Sequence, residues 1–494
     1  MSKSKNKKAR PFLVIELLNS FSKRELADLA DFVSCNYHNT DKHIVALLNA
    51  LRKEVIHKKD FDDTVQFSVY RATFPQKAPH KRTLNEQQKG SLLAKMTILI
   101  RLVEAFLTYE AVKENMTCKT DFLYQQLLKR NQFWLFNRHV TKDSKMLESK
   151  SQKSVEDYTG QFNIQSNILR YLHQKELITT EDNLPELTEC LDIYYLINKL
   201  KIHVACASLA RISAQKSYDY TPMEATLPLL KLPQYASHPL IQTYQVAIHL
   251  LKNNANESYE KLIELLDSNE TSISNEDLND FYKMAISFCI QKVKEGYTEY
   301  YREIFDLFKT MDNKNLLKER NFMEAGKLKN IITVSCKVGE FDWAKAIIKK
   351  YHPNLEKAHA DSVYHFNMGA VAFYQNDFKT ALSHFIRVEK VNLAYDINCR
   401  IMLLKSHYEL DDEYDERTIR TFLLSERFIQ SHKGLITRDK KAYKNFVRIL
   451  INIYNTRHGA GKMTAEKIQR KLEKLEFVSD KKWLEEKIAE LPKK

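Results

Sequence analysis

The sequence predicts an all-α fold, and three observations predict it. Glycine and proline are scarce, 9 and 10 in 494 residues and together under 4%, where an average chain carries about 12% of the two. Tight hairpins, sheets and phosphate loops need both residues, so a chain this poor in them consists of long helices joined by short polar connections. Apolar residues recur at helical spacing, as in Leu26, Leu29, Ala30 and Val33. Two helical hairpins between Ala325 and Leu393 also repeat: Phe341 and Ala344 of the first correspond to Phe378 and Ala381 of the second, 37 residues on. One helix pair cannot bury its own apolar face, so such pairs stack. The expected architecture is an N-terminal helical domain followed by a degenerate superhelix of α-α hairpins, because 494 residues exceed one ordinary core.

The elements follow in order. Residues 1–10, MSKSKNKKAR, carry five of the basic groups behind a net charge of +14 and no acid. They read as a disordered, solvated arm, with non-specific contact to nucleic acid or anionic lipid as the sharper alternative. The first helix starts after Ser22, which with Glu25 forms a capping box flanked by Phe21 and Leu26. Asp41 caps the next helix, whose core face is Ile44, Leu47, Leu48 and Leu51. A short helix over 64–73 stops before Pro75, Gln76–Arg82 forms a basic loop, and a long helix runs over 84–115 with a strongly apolar segment at 92–107. Residues 11–115 therefore form a compact helical domain. Residues 116–160 are a helix, 120–140, and a polar stretch at 141–155 that is either an exposed helix end or a linker.

From 161 to 455 the text divides into hairpins: 161–180 with 186–214, 239–253 with 257–267, and 276–293 with 298–312. Four of the ten prolines fall between Ser217 and Leu240, which predicts an irregular connection there. The last two helices, about 464–476 and 480–491, are charged and amphipathic, and 456–494 reads as the polar cap that a stacked array needs at its end.

Chemistry is mostly excluded. The apolar run after the basic arm is interrupted by Glu16 and Asn19, no cleavage pattern follows, and no stretch reaches about 18 apolar residues, so neither a secretory signal nor a membrane span is expected. Seven cysteines at wide spacing without a C-x-x-C pattern suit buried free thiols in the cytoplasm. Gly459-Ala460-Gly461-Lys462-Met463-Thr464 imitates a phosphate loop but lacks the first glycine, where Thr456 stands, and the hydroxyl after the lysine, where Met463 stands. A helix C-cap at His458-Gly459 is the better reading. His352, His359 and His365 have no metal-ligand spacing. No nucleophile elbow is present. No enzyme activity, cofactor or metal is expected.

With Met368-Gly369 in its first helix, Phe378 in the turn, and Ala381 and Phe385 in its second helix, the second hairpin resembles a tetratricopeptide repeat; the first supplies Ile331-Ile332, Phe341, Ala344, Ile348 and Pro353. The first lacks the family's glycine, the second has Ala372 and Leu393 where an aromatic and a proline are usual, and a third unit at 398–432 has Arg417 at the small position. The segment Leu17–Leu26 resembles the start of a family of uncharacterised bacterial helical proteins, which brings no activity with it. The tetratricopeptide resemblance implies that the first helix of each unit faces a concave groove. Lys329, Asn330, Thr333 and Lys337 would then line it from one unit and Asn367, Ala370 and Tyr374 from the next, with Asn330 and Asn367 at one repeat position. It further implies a cytoplasmic scaffold for a peptide or protein segment. Thr333 stands where a terminal-carboxylate clamp needs Asn, so a C-terminal carboxylate is not expected. The alternative is a nucleic-acid-binding regulator using the basic arm and the Gln76–Arg82 loop. Oligomeric state has no signature in the sequence.

Overall fold

The protein is described by a computed structural model covering residues 10–56, 61–77, 82–151, 153–177, 183–212, 227–319, 321–389, 391–411, 413–431, 437–461 and 463–492. Among these residues the secondary structure is helical and no β-strand forms, as the composition requires. The basic arm, most of the Gln76–Arg82 loop and the first half of the proline-rich connection lie outside the described residues. The chain divides into two compact units, residues 1–150 with 155–194, and residues 151–154 with 195–494.

In the first unit, α1 (Arg10–Asn19), α2 (Lys23–Ser34), α3 (Lys42–Glu54), α4 (Asp63–Thr73) and α5 (Glu86–Glu114) share one core. Helix α1 corrects the sequence reading, which began the first helix after Ser22. Val14 and Leu18 lie four apart and are fully buried, while Glu16 and Asn19 are exposed, so the residues that interrupt the apolar run occupy the wet side of a helix. The capping box forms: the Ser22 amide donates to Glu25 Oε2 at 2.6 Å and the Glu25 amide to Ser22 Oγ at 3.2 Å. Asp41 caps α3 through the His43 amide at 2.9 Å and also accepts from Lys95 of α5 at 2.5 Å. Residues 116–160 hold α6 (Met116–Lys129), α7 (Phe133–Glu148) and the start of α8 (Val155–Gln174). The single helix expected over 120–140 is thus two, broken where Asn131 turns left-handed at φ 56°. Helix α7 continues through the polar stretch to Glu148. Tyr124 of α6 donates to the buried Asp143 of α7 at 2.6 Å, among Leu128, Phe136 and Ile164.

The division between units falls within α9 (Leu184–Ile212). In the second unit, single helical turns at Leu227–Leu230 and Pro233–Ala236 lead into α10 (Pro239–Asn253), α11 (Asn256–Ser268), α12 (Asn275–Lys294) and α13 (Tyr300–Asn313). The two repeat-like hairpins are α14 (Ala325–Lys337) with α15 (Phe341–Tyr351), and α16 (Ala360–Tyr374) with α17 (Phe378–Phe385). Then come α18 (Leu393–Leu410), α19 (Glu416–Ser431), α20 (Thr437–Arg457), α21 (Ala465–Glu473) and α22 (Lys481–Ala489). From α10 to α17, partners within each pair pack together. The first helices of several successive pairs also touch: α10 on α12, α14 on α16, and α16 on α18.

Buried carboxylates pin these contacts. Asp277 of α12, 1% exposed, accepts from the Tyr244 hydroxyl of α10 at 2.6 Å and pairs with Lys201 at 2.8 Å. Asp312 at the end of α13 accepts from the Tyr351 hydroxyl of α15 at 2.5 Å and from Lys350 at 2.7 Å. Burial and the adjoining carboxylate push both tyrosines far above their ordinary pKa. Glycine at 369 serves close approach instead. A Cβ there would meet the Phe385 ring at 2.8 Å and His384 Cβ at 3.1 Å, so α16 and α17 touch only because residue 369 has none. Gly459 takes φ 72° past the end of α20, the left-handed C-cap the sequence suggests.

Urea unfolding of two pairs of variants checks these assignments. Tyr244→Phe should cost about 1–3 kcal/mol by stranding one buried acceptor, and Asp277→Ala about 3–5 kcal/mol by stranding a lysine and a phenol together. Gly90, in the exposed interior of α5 with open space around it, should gain about 0.5–1 kcal/mol on change to Ala. Gly369→Ala should instead lose about 1–3 kcal/mol through overpacking, although both glycines are helical.

Candidate functional site

Three helices of the second unit present side chains at i, i+4 and i+8, the spacing that keeps residues on one helical face. On α14 these are Lys329, Thr333 and Lys337; on α16, Phe366, Ala370 and Tyr374; on α18, Ile397, Ile401 and Lys405. Eight of these nine, all but Lys337, line a single hollow of about 530 Å³. Asn330 joins from α14, and Asp439 of α20 and Asp480 before α22 close the far side. A second hollow of about 380 Å³ adjoins it, and Lys329 lines both.

Five of the seven residues nominated from the sequence therefore come together: Lys329, Asn330, Thr333, Ala370 and Tyr374. Asn330 is exposed, Lys329, Thr333 and Tyr374 are half-buried, and Ala370 is buried. Lys337 sits at the rim, its ammonium 5.1 Å from the centre of the Tyr374 ring. Thr333 is less available than expected, since its hydroxyl donates to the Lys329 carbonyl one turn back at 2.8 Å.

Asn367 is a correction. Although it matches Asn330 in the repeat, it is 1% exposed and faces the helix contacts. Its amide donates to the Val363 carbonyl at 2.8 Å and to the Tyr395 hydroxyl at 3.2 Å, and that hydroxyl donates to the Ala325 carbonyl at 3.3 Å. Asn367 thus joins α16 to α18, and Tyr395 carries the link on to α14. The bulk of Tyr395 covers the position in the second unit, and equivalence by repeat cannot foresee that.

Two charged residues were missed. Lys405 is 5% exposed, forms an ion pair with Asp480, and has its ammonium 4.7 Å from the Trp483 ring centre. Burial lowers its pKa, and Asp480 opposes that shift. A lone lysine after Met402-Leu403-Leu404 was the available signal. Asp480 offered none: it lies at φ 46° just before α22 and makes no cap bond to that helix, because its carboxylate goes to Lys405. Lys329 contrasts with both. Its ammonium has no hydrogen bond or ion pair among the described residues, and burial alone lowers its pKa.

The arrangement suits adhesion. Phe366, Ile397, Ile401 and Met402 give an apolar lining, the Asn330 side chain gives an amide at the edge, and Lys329 gives an unmatched positive charge. On the α16–α17 contact, His365 and His384 face each other with Nδ1 atoms 2.9 Å apart, and His352 lies 3.4 Å from Asp361. No three metal-ligating side chains come together among the described residues. None of the described helices is long and apolar enough to cross a membrane. Compared with protein-family models, with curated proteins and with solved structures, the chain matches none.

The histidine pair predicts a stability that depends on pH. Burial is the chief cause lowering both pKa values, with Arg387 adding to it and Asp361 opposing it at His365. A histidine whose folded pKa is depressed leaves the unfolded chain holding more protons, so stability is full above the unfolded value of about 6.5 and falls as pH drops through the folded values. The urea midpoint should therefore decline between pH 7.5 and 5, and His384→Asn should flatten that decline.

Proposed function

We propose that this chain is a non-catalytic scaffold of the tetratricopeptide kind, which holds an extended segment of another protein in the groove formed by α14, α16 and α18. The observation that carries the proposal is the convergence of equivalent helical stripes on one hollow that includes five sequence-nominated residues. Side-by-side packing of α14 on α16 and of α16 on α18 supports a shared inner face over these three helices. An apolar lining with a few polar groups suits a peptide, whose side chains fill the floor while its backbone meets Asn330.

The test is capture from native cytosol by the intact chain carrying a photo-crosslinking residue in place of Asn330, at low and high salt. The expected outcome is a discrete crosslinked protein that persists at high salt and is lost when Thr333→Arg fills the groove, with helical content unchanged by circular dichroism. Capture that Thr333→Arg leaves intact would remove the groove from the proposal. Recovery of nucleic acid that washes off with salt would move function to the basic surface.

A further inference from the structure

We propose that the segment held in this groove presents an acidic side chain, aspartate or glutamate, to the Lys329 ammonium. This rests on the protein-segment reading above and narrows its ligand. The first argument is charge. Among the groups lining the larger hollow, Lys405 is matched by Asp480 and the remaining acid, Asp439, is exposed, which leaves Lys329 half-buried without a counterion among the described residues. Taking an ammonium partly out of water without a partner is unfavourable, and a carboxylate that arrives with a ligand reverses this. Glu324 and Glu356 line the smaller hollow that Lys329 also borders, and their charge would repel a carboxylate there, so the larger hollow is the one an incoming carboxylate would enter.

The second argument is that the protein already makes such a contact. The irregular stretch Phe477–Asp480 lies against α20, where the Phe477 carbonyl accepts from Asn445 at 2.9 Å and the Ser479 amide donates to the Ala442 carbonyl at 3.2 Å. The guanidinium of Arg438 sits 5.1 Å from the Phe477 ring centre. From that anchored backbone Asp480 delivers its carboxylate to Lys405 in the groove wall. A short irregular segment held through its backbone, with an aromatic anchor and one acid on a buried lysine, is an intramolecular example of what Lys329 lacks.

The experiment uses the full chain and fluorescent nonapeptide libraries, acetylated and amidated, with the central residue fixed as Asp, Glu, Asn or Gln and the flanks randomised. A further arm has an amide-type centre and a free C-terminal carboxylate. The acid-centred libraries should bind about tenfold more tightly than their amide counterparts, as a charge-assisted hydrogen bond provides. Lys329→Met should abolish that difference without lowering the melting temperature, because the ammonium makes no bond to lose, and Lys329→Arg should retain it. Equal affinity for acid and amide centres, a preference that survives Lys329→Met, or tightest binding of the free-carboxylate arm overturns the proposal. Binding without acid preference leaves the scaffold in place, whereas no binding by any library removes the groove reading together with this one.

Discussion

A helix with an apolar stripe buries it equally well at several registers, so stacked helices need directional contacts to hold one. In this protein the recurrent contact is a buried carboxylate that accepts from a tyrosine hydroxyl on another helix: Tyr124 with Asp143, Tyr244 with Asp277, and Tyr351 with Asp312. Each is high-stakes, because an unpartnered buried carboxylate costs several kcal/mol while a matched one roughly breaks even. Sliding a helix by one turn would break the match without altering the apolar area buried. Among α14, α16 and α18, whose three stripes share one hollow, the corresponding directional contact is the bond from Asn367 to the Tyr395 hydroxyl, which donates in turn to the Ala325 carbonyl.

The same requirement explains why one nominated residue left the groove. Asn367 occupies a repeat position that could face a ligand, but α16 is held to α18 through its amide and Tyr395. Gly369, two residues on, lets α17 close against the other side of α16. Helix α16 is therefore constrained on two sides, and only Phe366, Ala370 and Tyr374 remain for the hollow. Asn330, on the less crowded α14, stays exposed.

Helix content and most helix limits were legible in the sequence because they rest on local chemistry: Ser22 with Glu25, Asp41, the break before Pro75, and the Gly459 cap. Where two local signals competed, legibility failed. Glu16 and Asn19 obscured α1 because an apolar run was weighed without its helical phase, and Asn131 hid a break between two helices of similar polarity. In the groove, the stripes of α14 and α16 could be read from the repeat. The pairing of Lys405 with Asp480 could not, because it joins residues 75 apart in the chain through a loop that belongs to no repeat.

One departure from local rules lies in the lining of that hollow. Among the described residues, the non-glycine ones at positive φ are five asparagines, the usual tenant of that conformation, with Glu176 and Asp480. Asp480 could have capped α22, a contact worth about 1 kcal/mol, and instead neutralises a lysine 5% exposed. A hydrophobic residue at 405 would have packed between Phe373 and Trp483 without needing any acid. The lining of one hollow thus holds one buried lysine with a costly partner and a second, Lys329, with none among the described residues. Purely structural optimisation would favour neither, and proteins tolerate such local conflicts chiefly where the site does something besides fold. The binding surface proposed above would account for both lysines at once: one fixes the loop that borders the hollow, and the other would be left for the proposed ligand.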